Sequence, residues 1–317
     1  MSHIAVDVTD IQKRNTEGTI IITGAPRSGT TLLGTLISTL GGIEYYHEPP
    51  MVWALTALLS MKALSPSVAA CLLQLYLHEE LFVESVHGRR ANLRPSDDSL
   101  VLRSIHWEEL VARWQTIKNR GDAMQYISDK RLRLAVKTPS ILEFIDFLQA
   151  ALPKSKFIII IRDGRDVVRS ILKKEWLTDE GLKENYWPYK VINGQKLPTF
   201  VEDAVADRWA KMNASTRACY LWRRDAEFAL EIKDKAPIKD RLQIVFYEKL
   251  RQSPDQVMKD LAGFIPTDLT DLTELAIRSV RPLGEKSRQQ PEGDFLHIVE
   301  PDELHKFTEM NRAWCYD

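Results

Sequence analysis

Residues 19–31 read TIIITGAPRSGTT, a short run of β-branched residues followed by a loop that contains two glycines. The run is typical of a buried strand, and the leucines and isoleucines of residues 32–40 fall on one face of a predicted helix. Gly24 and Gly29 have the G-x-x-x-x-G spacing of a P-loop, which turns backbone N–H groups and a helix amino terminus toward an anion. The segment predicts an α/β fold with a phosphate-binding loop.

Three further apolar runs predict buried strands at residues 132–136, 156–161 and 242–246. Each is followed by a helical pattern, and Ser140 with Glu143 has the spacing of a capping box that would open a helix. Strands that alternate with helices indicate a three-layer α/β sandwich with a central, mostly parallel sheet. Functional residues should gather where strands end and helices begin.

One domain is predicted for residues 1–317, with residues 1–18 as an extended or flexible N-terminal segment. Two regions fit the alternation less well: residues 51–131, which look mainly helical, and residues 175–236. The second region carries Trp176, Trp187, Trp209 and Trp222. We expect these helical insertions to form the walls of a substrate cleft. Tryptophans that simply belong to the core are the alternative.

The bulk composition excludes several classes of protein. The 43 basic and 44 acidic residues leave a formal charge of -1, so no general attraction to nucleic acid or anionic membrane is expected. A secretory signal and an unbroken apolar span are not found, which predicts a cytoplasmic protein without a membrane span. Cys71, Cys219 and Cys315 are far apart, which argues against a disulfide framework or a zinc site.

The loop departs from that of a P-loop triphosphatase, in which Lys follows the second glycine and the next hydroxyl holds magnesium. Thr30 takes the place of that Lys, and the positive charge lies within the loop as Arg27, whose planar fork suits an oxyanion. The run P-R-S-G-T-T resembles the 5′-phosphosulfate loop of sulfotransferases that depend on 3′-phosphoadenosine 5′-phosphosulfate (PAPS), in the form of their glycan, tyrosyl-protein and bacterial branches. The resemblance implies that Arg27, Ser28, Gly29, Thr30 and Thr31 hold the 5′-phosphosulfate.

A second anion site is predicted in residues 157–170, FIIIIRDGRDVVRS. Arg162 follows a buried strand, Ser170 lies in the next helix, and Asp163 or Asp166 can cap that helix. The Arg and Ser resemble the 3′-phosphate motif of the same family, at the same sheet edge as the first loop. An Arg162 that only pairs with a neighbouring aspartate is the alternative.

Two later segments resemble further donor contacts. Tyr247, in F-Y-E-K-L, is similar to a family tyrosine that lies against the nucleotide. Lys286 and Arg288 are the nearest equivalent of a basic loop that closes over the 3′-phosphate, and a surface charge run is the other interpretation.

The resemblance implies in-line transfer of a sulfuryl group to an acceptor hydroxyl, with 3′-phosphoadenosine 5′-phosphate (PAP) as the other product. The sulfonate carries a single negative charge, so no metal is expected. Arg27 would stabilise the leaving oxygen. Lys137, in V-K-T-P after the second predicted strand, is similar to a family lysine that reaches the sulfonate, with a solvated lysine as the alternative.

The predicted base lies in His47-Glu48-Pro49, where the strand after the first crossover would end. Glu48 follows Arg27 at the distance at which the tyrosyl-protein and bacterial branches place their catalytic glutamate. A carboxylate can accept the proton late, as bonding to sulfur makes the hydroxyl acidic. His47 is the alternative base.

Two other functions remain open from the sequence: a P-loop nucleotide-dependent kinase and a non-catalytic nucleotide-binding protein. The sequence does not identify the acceptor or the oligomeric state. A carbohydrate or metabolite hydroxyl is the expected acceptor.

Overall fold

The computed structural model of the protein describes residues 6–184, 188–235, 238–282 and 295–316. Its strands are β1 (Ile20–Thr23), β2 (Ile43–His47), β3 (Arg133–Lys137), β4 (Lys156–Ile161), β5 (Tyr189–Ile192), β6 (Gln195–Pro198) and β7 (Leu242–Phe246). Five of them form one sheet in the order β2-β3-β1-β4-β7, and every neighbouring pair in it is parallel. All five carboxyl ends therefore lie along one edge.

The α-helices of the described chain follow in sequence order. They are α1 (Asp10–Thr16), α2 (Thr30–Ser38), α3 (Pro50–Ser60), α4 (Pro66–Leu75), α5 (Glu84–Val86), α6 (Trp107–Thr116), α7 (Arg120–Asp129), α8 (Ile145–Ala151), α9 (Gly164–Leu172), α10 (Asp179–Glu184), α11 (Ala206–Trp209), α12 (Ala214–Ile232), α13 (Tyr247–Gln252), α14 (Pro254–Phe264), α15 (Asp271–Ser279) and α16 (Pro301–Ala313). A π-helical stretch, Tyr76–Val83, joins α4 to α5.

The sheet separates two hydrophobic clusters. Ile20 and Ile22 of β1 belong to the cluster under α2, α14 and α15, whereas Ile21 belongs to the cluster under α8, α9 and α12. Alternate residues of a strand face opposite sides of a sheet, so this division places helices on both faces. The predicted three-layer α/β fold with a parallel sheet is confirmed. We propose that the chain is one domain, because both insertions contribute residues to the same hydrophobic cluster on one face of the sheet.

The four strands predicted with bounds agree with the structure to within one residue; β2 was indicated only by where the strand after the first crossover would end, and the hairpin of β5 and β6 was missed. β2 has mostly half-buried residues, because it is the edge strand of the sheet, so it lacks a continuous apolar run. β5 and β6 form an antiparallel hairpin around Asn193 and Gly194, whose φ angles are 49° and 79°. Asn-Gly is the preferred pair for a two-residue hairpin turn, and this signal was overlooked.

Residues 1–18 were expected to form an extended or flexible segment, and Asp10–Thr16 within it form helix α1, which a capping box at Thr9 and Gln12 opens. One local prediction was wrong. The capping box predicted at Ser140 and Glu143 does not form, because the Ser140 hydroxyl donates a hydrogen bond to Asp225 at 2.5 Å instead.

The cysteines are free. Over the described ranges, the structure contains no helix with both the length and the apolar character needed to span a membrane.

Candidate active site

The loop between β1 and α2 has the backbone of an anion-binding nest. Gly24, Arg27 and Gly29 have φ angles of 147°, 69° and 99°, and such departures into the left-handed region build N–H concavities. Within the described structure no side chain caps α2 at Gly29, so the helix amino terminus is available to an anion. Ser28 is 1% exposed, and its hydroxyl has no hydrogen-bond partner among the described residues. A ligand oxygen could satisfy this buried group.

The two segments predicted to bind phosphate adjoin at the carboxyl edge of the sheet. Arg27 Nε donates to Ser170 Oγ at 3.0 Å, and Arg162 Nη1 donates to the Arg27 carbonyl at 3.2 Å. Arg162 also pairs with Asp166 at 3.3 Å, while its Nε lacks a partner in the part of the chain that the structure describes. The two arginines therefore lie side by side, and the ion pair of Arg162 with Asp166 leaves the Nε–H of Arg162 available to a ligand.

Tyr247 packs between these segments at the end of β7. Its ring lies 4.3 Å from the guanidinium carbon of Arg162, and a Cβ on Gly29 would collide with the same ring. Its hydroxyl accepts a hydrogen bond from Arg251. Tyr247 thus supports both segments by packing against them. The prediction for Tyr247 was a contact with the nucleotide and did not include this packing.

A buried lysine connects the end of β3 to the end of β2. Lys137 is 0% exposed; its Nζ forms an ion pair with Glu48 and donates to Thr31 Oγ1 at 3.3 Å. The Glu48 N–H donates to the Lys137 carbonyl at 2.9 Å, so main chain and side chains hold the pair together. Burial lowers the pKa of Lys137, and the Glu48 carboxylate opposes that shift. Lys137 is not a solvated lysine at a strand end.

Glu48 and His47 face different cavities. Glu48 lines a cleft of about 210 Å³, whereas His47 lines a second cavity of about 160 Å³ together with Tyr45 and Asp98. The distance from His47 Nε2 to Glu48 Oε1 is 3.9 Å. Burial, and then the charge of Lys137, lower the pKa of His47. Glu48 has a φ of 49°, a conformation that is uncommon outside glycine and often found at functional sites.

The cleft beside Glu48 takes residues from the phosphate loop, from the end of β3 and from both insertions. Its lining consists of Pro26, Glu48, Trp53, Thr56, Ala57, Pro139, Ser140, Glu143, Phe144, Trp176, Pro188, Thr199 and Phe200. Of the tryptophans expected in the second insertion, Trp176 reaches the cleft. Trp209 and Trp222 are core residues, and Trp187 lies outside the described residues.

No sequence pattern indicated that the C-terminal helix supports the second anion segment. Asn311 of α16 accepts a hydrogen bond from the Gly164 N–H, at 2.9 Å, where α9 begins. Glu248 accepts one from the Asp163 N–H at 3.3 Å and another from the Tyr316 hydroxyl at 2.7 Å. These contacts join residues far apart in the chain, so no local pattern could have indicated them.

The basic loop and the absence of a metal requirement stay predictions, as do the ligand-binding and catalytic roles of the site residues. Lys286 and Arg288 lie outside the described residues. Across the described ranges, no group of three or more His, Cys, Asp or Glu side chains is arranged to hold a metal ion; that the reaction needs no metal remains a prediction.

Comparisons with known proteins give the following matches. Solved structures with a similar fold include the sulfotransferase domain of the Synechococcus PCC 7002 olefin synthase, with 16% identity, a TM-score of 0.49, and 95% of each chain covered. Another is the sulfotransferase domain from the curacin biosynthetic pathway, with 14% identity, a TM-score of 0.48, and 95% of this chain and 98% of that chain covered. A sulfotransferase from Mycobacterium avium has 15% identity and a TM-score of 0.47, with 96% of this chain and 78% of that chain covered. A comparison with curated protein sequences gives no match. The sequence pattern of the sulfotransferase family matches residues 19–271.

Proposed function

This chain belongs to the sulfotransferase family, and from that premise we propose that it transfers the sulfuryl group of PAPS to a hydroxyl oxygen of an acceptor. The observation that carries the proposal is the contact between the two anion segments, in which Arg162 and Ser170 both touch Arg27. A nucleotide phosphorylated at both its 3′ and 5′ ends needs two such pockets on one face of the protein.

The donor groups of the site suit this substrate. Arg27 and the loop through Thr31 would bind the 5′-phosphosulfate, and Arg162 with Ser170 would bind the 3′-phosphate. Ser28 Oγ and Arg162 Nε, which lack partners among the described residues, give each pocket a donor for a phosphate oxygen. Tyr247 supports both pockets through its packing on Gly29 and Arg162.

The chemistry is an in-line displacement. The acceptor oxygen bonds to sulfur, the bond between sulfur and the bridging phosphate oxygen breaks, and PAP leaves with the bridging oxygen. Arg27 and Lys137 stabilise the negative charge that moves onto the leaving oxygen and the sulfonate. Because Lys137 contacts both Thr31 and Glu48, it ties the proposed base to the proposed sulfonate pocket.

We assign Glu48 as the base that accepts the proton of the acceptor hydroxyl. Its carboxylate lines the cleft and is 36% exposed, and Lys137 engages only its Oε1, which leaves Oε2 for the acceptor. His47 lines the other cavity, which argues against it as the base. A cytoplasmic location stays a prediction.

Thermal unfolding with PAP and with ATP–Mg²⁺ tests the proposal. We expect PAP to raise the melting temperature and ATP–Mg²⁺ to have little effect, because Thr30 replaces the triphosphatase lysine. Arg162→Ala should abolish the shift given by PAP, and Arg278→Ala, a change at an exposed arginine of α15, should retain it.

Transfer itself is then measured with radiolabelled PAPS and a panel of hydroxyl compounds. Stabilisation by ATP–Mg²⁺ instead of PAP, together with ADP release, would indicate a kinase. Normal PAP binding without turnover of any acceptor would indicate a non-catalytic nucleotide-binding protein.

A further inference from the structure

The cleft that holds Glu48 adjoins the phosphate loop. Pro26 of the phosphate loop lines it. Trp176, another lining residue, has the Arg27 guanidinium 5.6 Å from its ring centre. A molecule bound in this cleft therefore lies beside Glu48 and against Trp176, the residue on which the arginine proposed to act on the leaving group packs.

The walls of the cleft are mostly aromatic and apolar. Four aromatic side chains, Trp53, Phe144, Trp176 and Phe200, line it together with three prolines and an alanine. Aromatic walls with few polar groups are typical of sites for apolar small molecules.

Most polar groups of the walls already have partners within the protein. Trp53 Nε1 donates to the Pro139 carbonyl at 3.1 Å, and the Thr56 hydroxyl donates to the Trp53 carbonyl at 3.0 Å. Ser140 donates to Asp225. A sugar needs partners for several hydroxyls, and each one buried without a partner weakens binding. The walls offer few such partners.

The charged groups of the cleft are acidic. Glu48 and Glu143 line it, and no Lys, Arg or His side chain is among its described lining residues. Glu143 pairs with Arg224 at 2.5 Å. Glu48 is likewise paired with Lys137, so an anionic acceptor is disfavoured because the described lining of the cleft offers it no cationic side chain. The cavity on the His47 side differs, since Arg90, Arg103 and Arg113 line it.

We infer that the acceptor is an uncharged alcohol or phenol whose hydroxyl is attached to an apolar, aromatic or similarly flat group, and that this group fills the cleft beside Glu48. That this molecule accepts the sulfuryl group rests on the proposed function. That it binds in the cleft does not. Of the two acceptors expected from the sequence, a carbohydrate or a metabolite hydroxyl, the inference favours the metabolite.

Direct binding tests the inference without requiring turnover. The probes are 2-(2-naphthyl)ethanol, a flat aromatic alcohol, and methyl β-D-glucoside, a polyhydroxyl compound of similar mass. Each is titrated into the protein, with and without saturating PAP, and followed by ligand-observed NMR. We expect the naphthyl alcohol to bind at least tenfold more tightly than the glucoside.

Three variants locate the bound probe. Phe144→Ala removes one aromatic wall, and Ala57→Phe fills the cleft from α3; each should weaken binding of the naphthyl alcohol about tenfold or more. Leu58→Ala, a change at an exposed residue of α3 that does not line the cleft, should leave it unchanged. PAP binding should be equal in all three, because none of these residues contacts the proposed donor site.

The outcomes separate the two proposals. Failure of the naphthyl alcohol to bind, binding that neither cleft variant weakens, or tighter binding of the glucoside would overturn the inference. A protein that binds the naphthyl alcohol in the cleft but does not bind PAP would leave the inference standing and remove the proposed function.

Discussion

The Nε–H of Arg27 donates a 3.0 Å hydrogen bond to the hydroxyl of Ser170. Arg27 lies in the loop after β1, and Ser170 lies in α9, after β4. The two residues meet because β1 and β4 are paired neighbours in the sheet, and parallel neighbours bring their carboxyl ends together. A substitution in one of these two segments should therefore affect the other.

Ser170→Ala should raise the dissociation constant of PAP about tenfold, equivalent to about 1.4 kcal/mol. Turnover at saturating donor should change little, because the hydroxyl lies on the proposed 3′-phosphate side. Arg27→Ala should lower turnover about a hundredfold or more, as expected for a group that stabilises developing charge. Calorimetry and initial rates measure the two effects. Unchanged PAP affinity in Ser170→Ala, with Ser279→Ala on α15 as the control, would contradict the assignment.

Glu48→Gln should lower turnover about a hundredfold or more and leave PAP affinity within a few fold. The amide keeps the size of the side chain and a contact to Lys137 but cannot take the acceptor proton. His47→Gln is the matched control at the adjacent position, and we expect its turnover to stay within a few fold of wild type. If the two variants exchanged these effects, His47 would be the base.

The strands and the two anion segments were predictable because their signals are local. The isoleucines of β4 are consecutive and buried, so a continuous apolar run marks a central strand. The edge strand β2 has no such run, and only its position after the first crossover indicated it.

What the sequence could not predict depends on contacts between distant residues. Ser140 has the spacing of a helix cap, yet the buried carboxylate of Asp225 on α12 takes its hydroxyl. The cleft combines residues from five separate parts of the chain, and no periodicity relates them. The aromatic walls of the cleft were anticipated only in general terms, as two insertions of which the second is rich in tryptophan.

Asp225→Asn should change how stability depends on pH. Burial raises the pKa of Asp225 from 3.8 to about 6, against hydrogen bonding by Ser140 and the charge of Arg224, which lower it, while Glu143 adds to the rise. A raised pKa contributes stability that is fully present below the unfolded value and is lost as the pH rises through the folded value. The variant should therefore gain stability relative to wild type between about pH 4 and about pH 7.5, on the order of 3 kcal/mol.

Denaturant unfolding at those two pH values measures the difference, with Asp240→Asn, a change at an exposed aspartate, as the control. A constant gap between Asp225→Asn and wild type would show that the buried carboxylate does not titrate in this range.

Gly29→Ala should damage both stability and donor binding. The new Cβ would collide with the Tyr247 ring, and Gly29 has a φ of 99°, so we expect a loss of about 1–3 kcal/mol. Gly263→Ala is the matched control, because a Cβ there meets nothing within 4 Å and the position is helical, where alanine stabilises by about 0.5–1 kcal/mol. Equal unfolding free energies for the two variants would contradict the packing of Tyr247 on the loop.

Asn311→Ala tests whether the C-terminal helix supports the proposed 3′-phosphate pocket. Asn311 accepts the Gly164 N–H in a buried hydrogen bond, and its own amide donates to the Phe307 carbonyl at 3.0 Å. Alanine would leave the Gly164 N–H without that acceptor, at a cost of about 1–3 kcal/mol. Gly164 begins the helix that carries Ser170, so PAP affinity should fall several fold even though Asn311 is buried and outside the pocket. Lys306→Ala, a change at an exposed residue of the same helix, should alter neither quantity, and a variant that lost stability but kept full PAP affinity would limit α16 to a structural role.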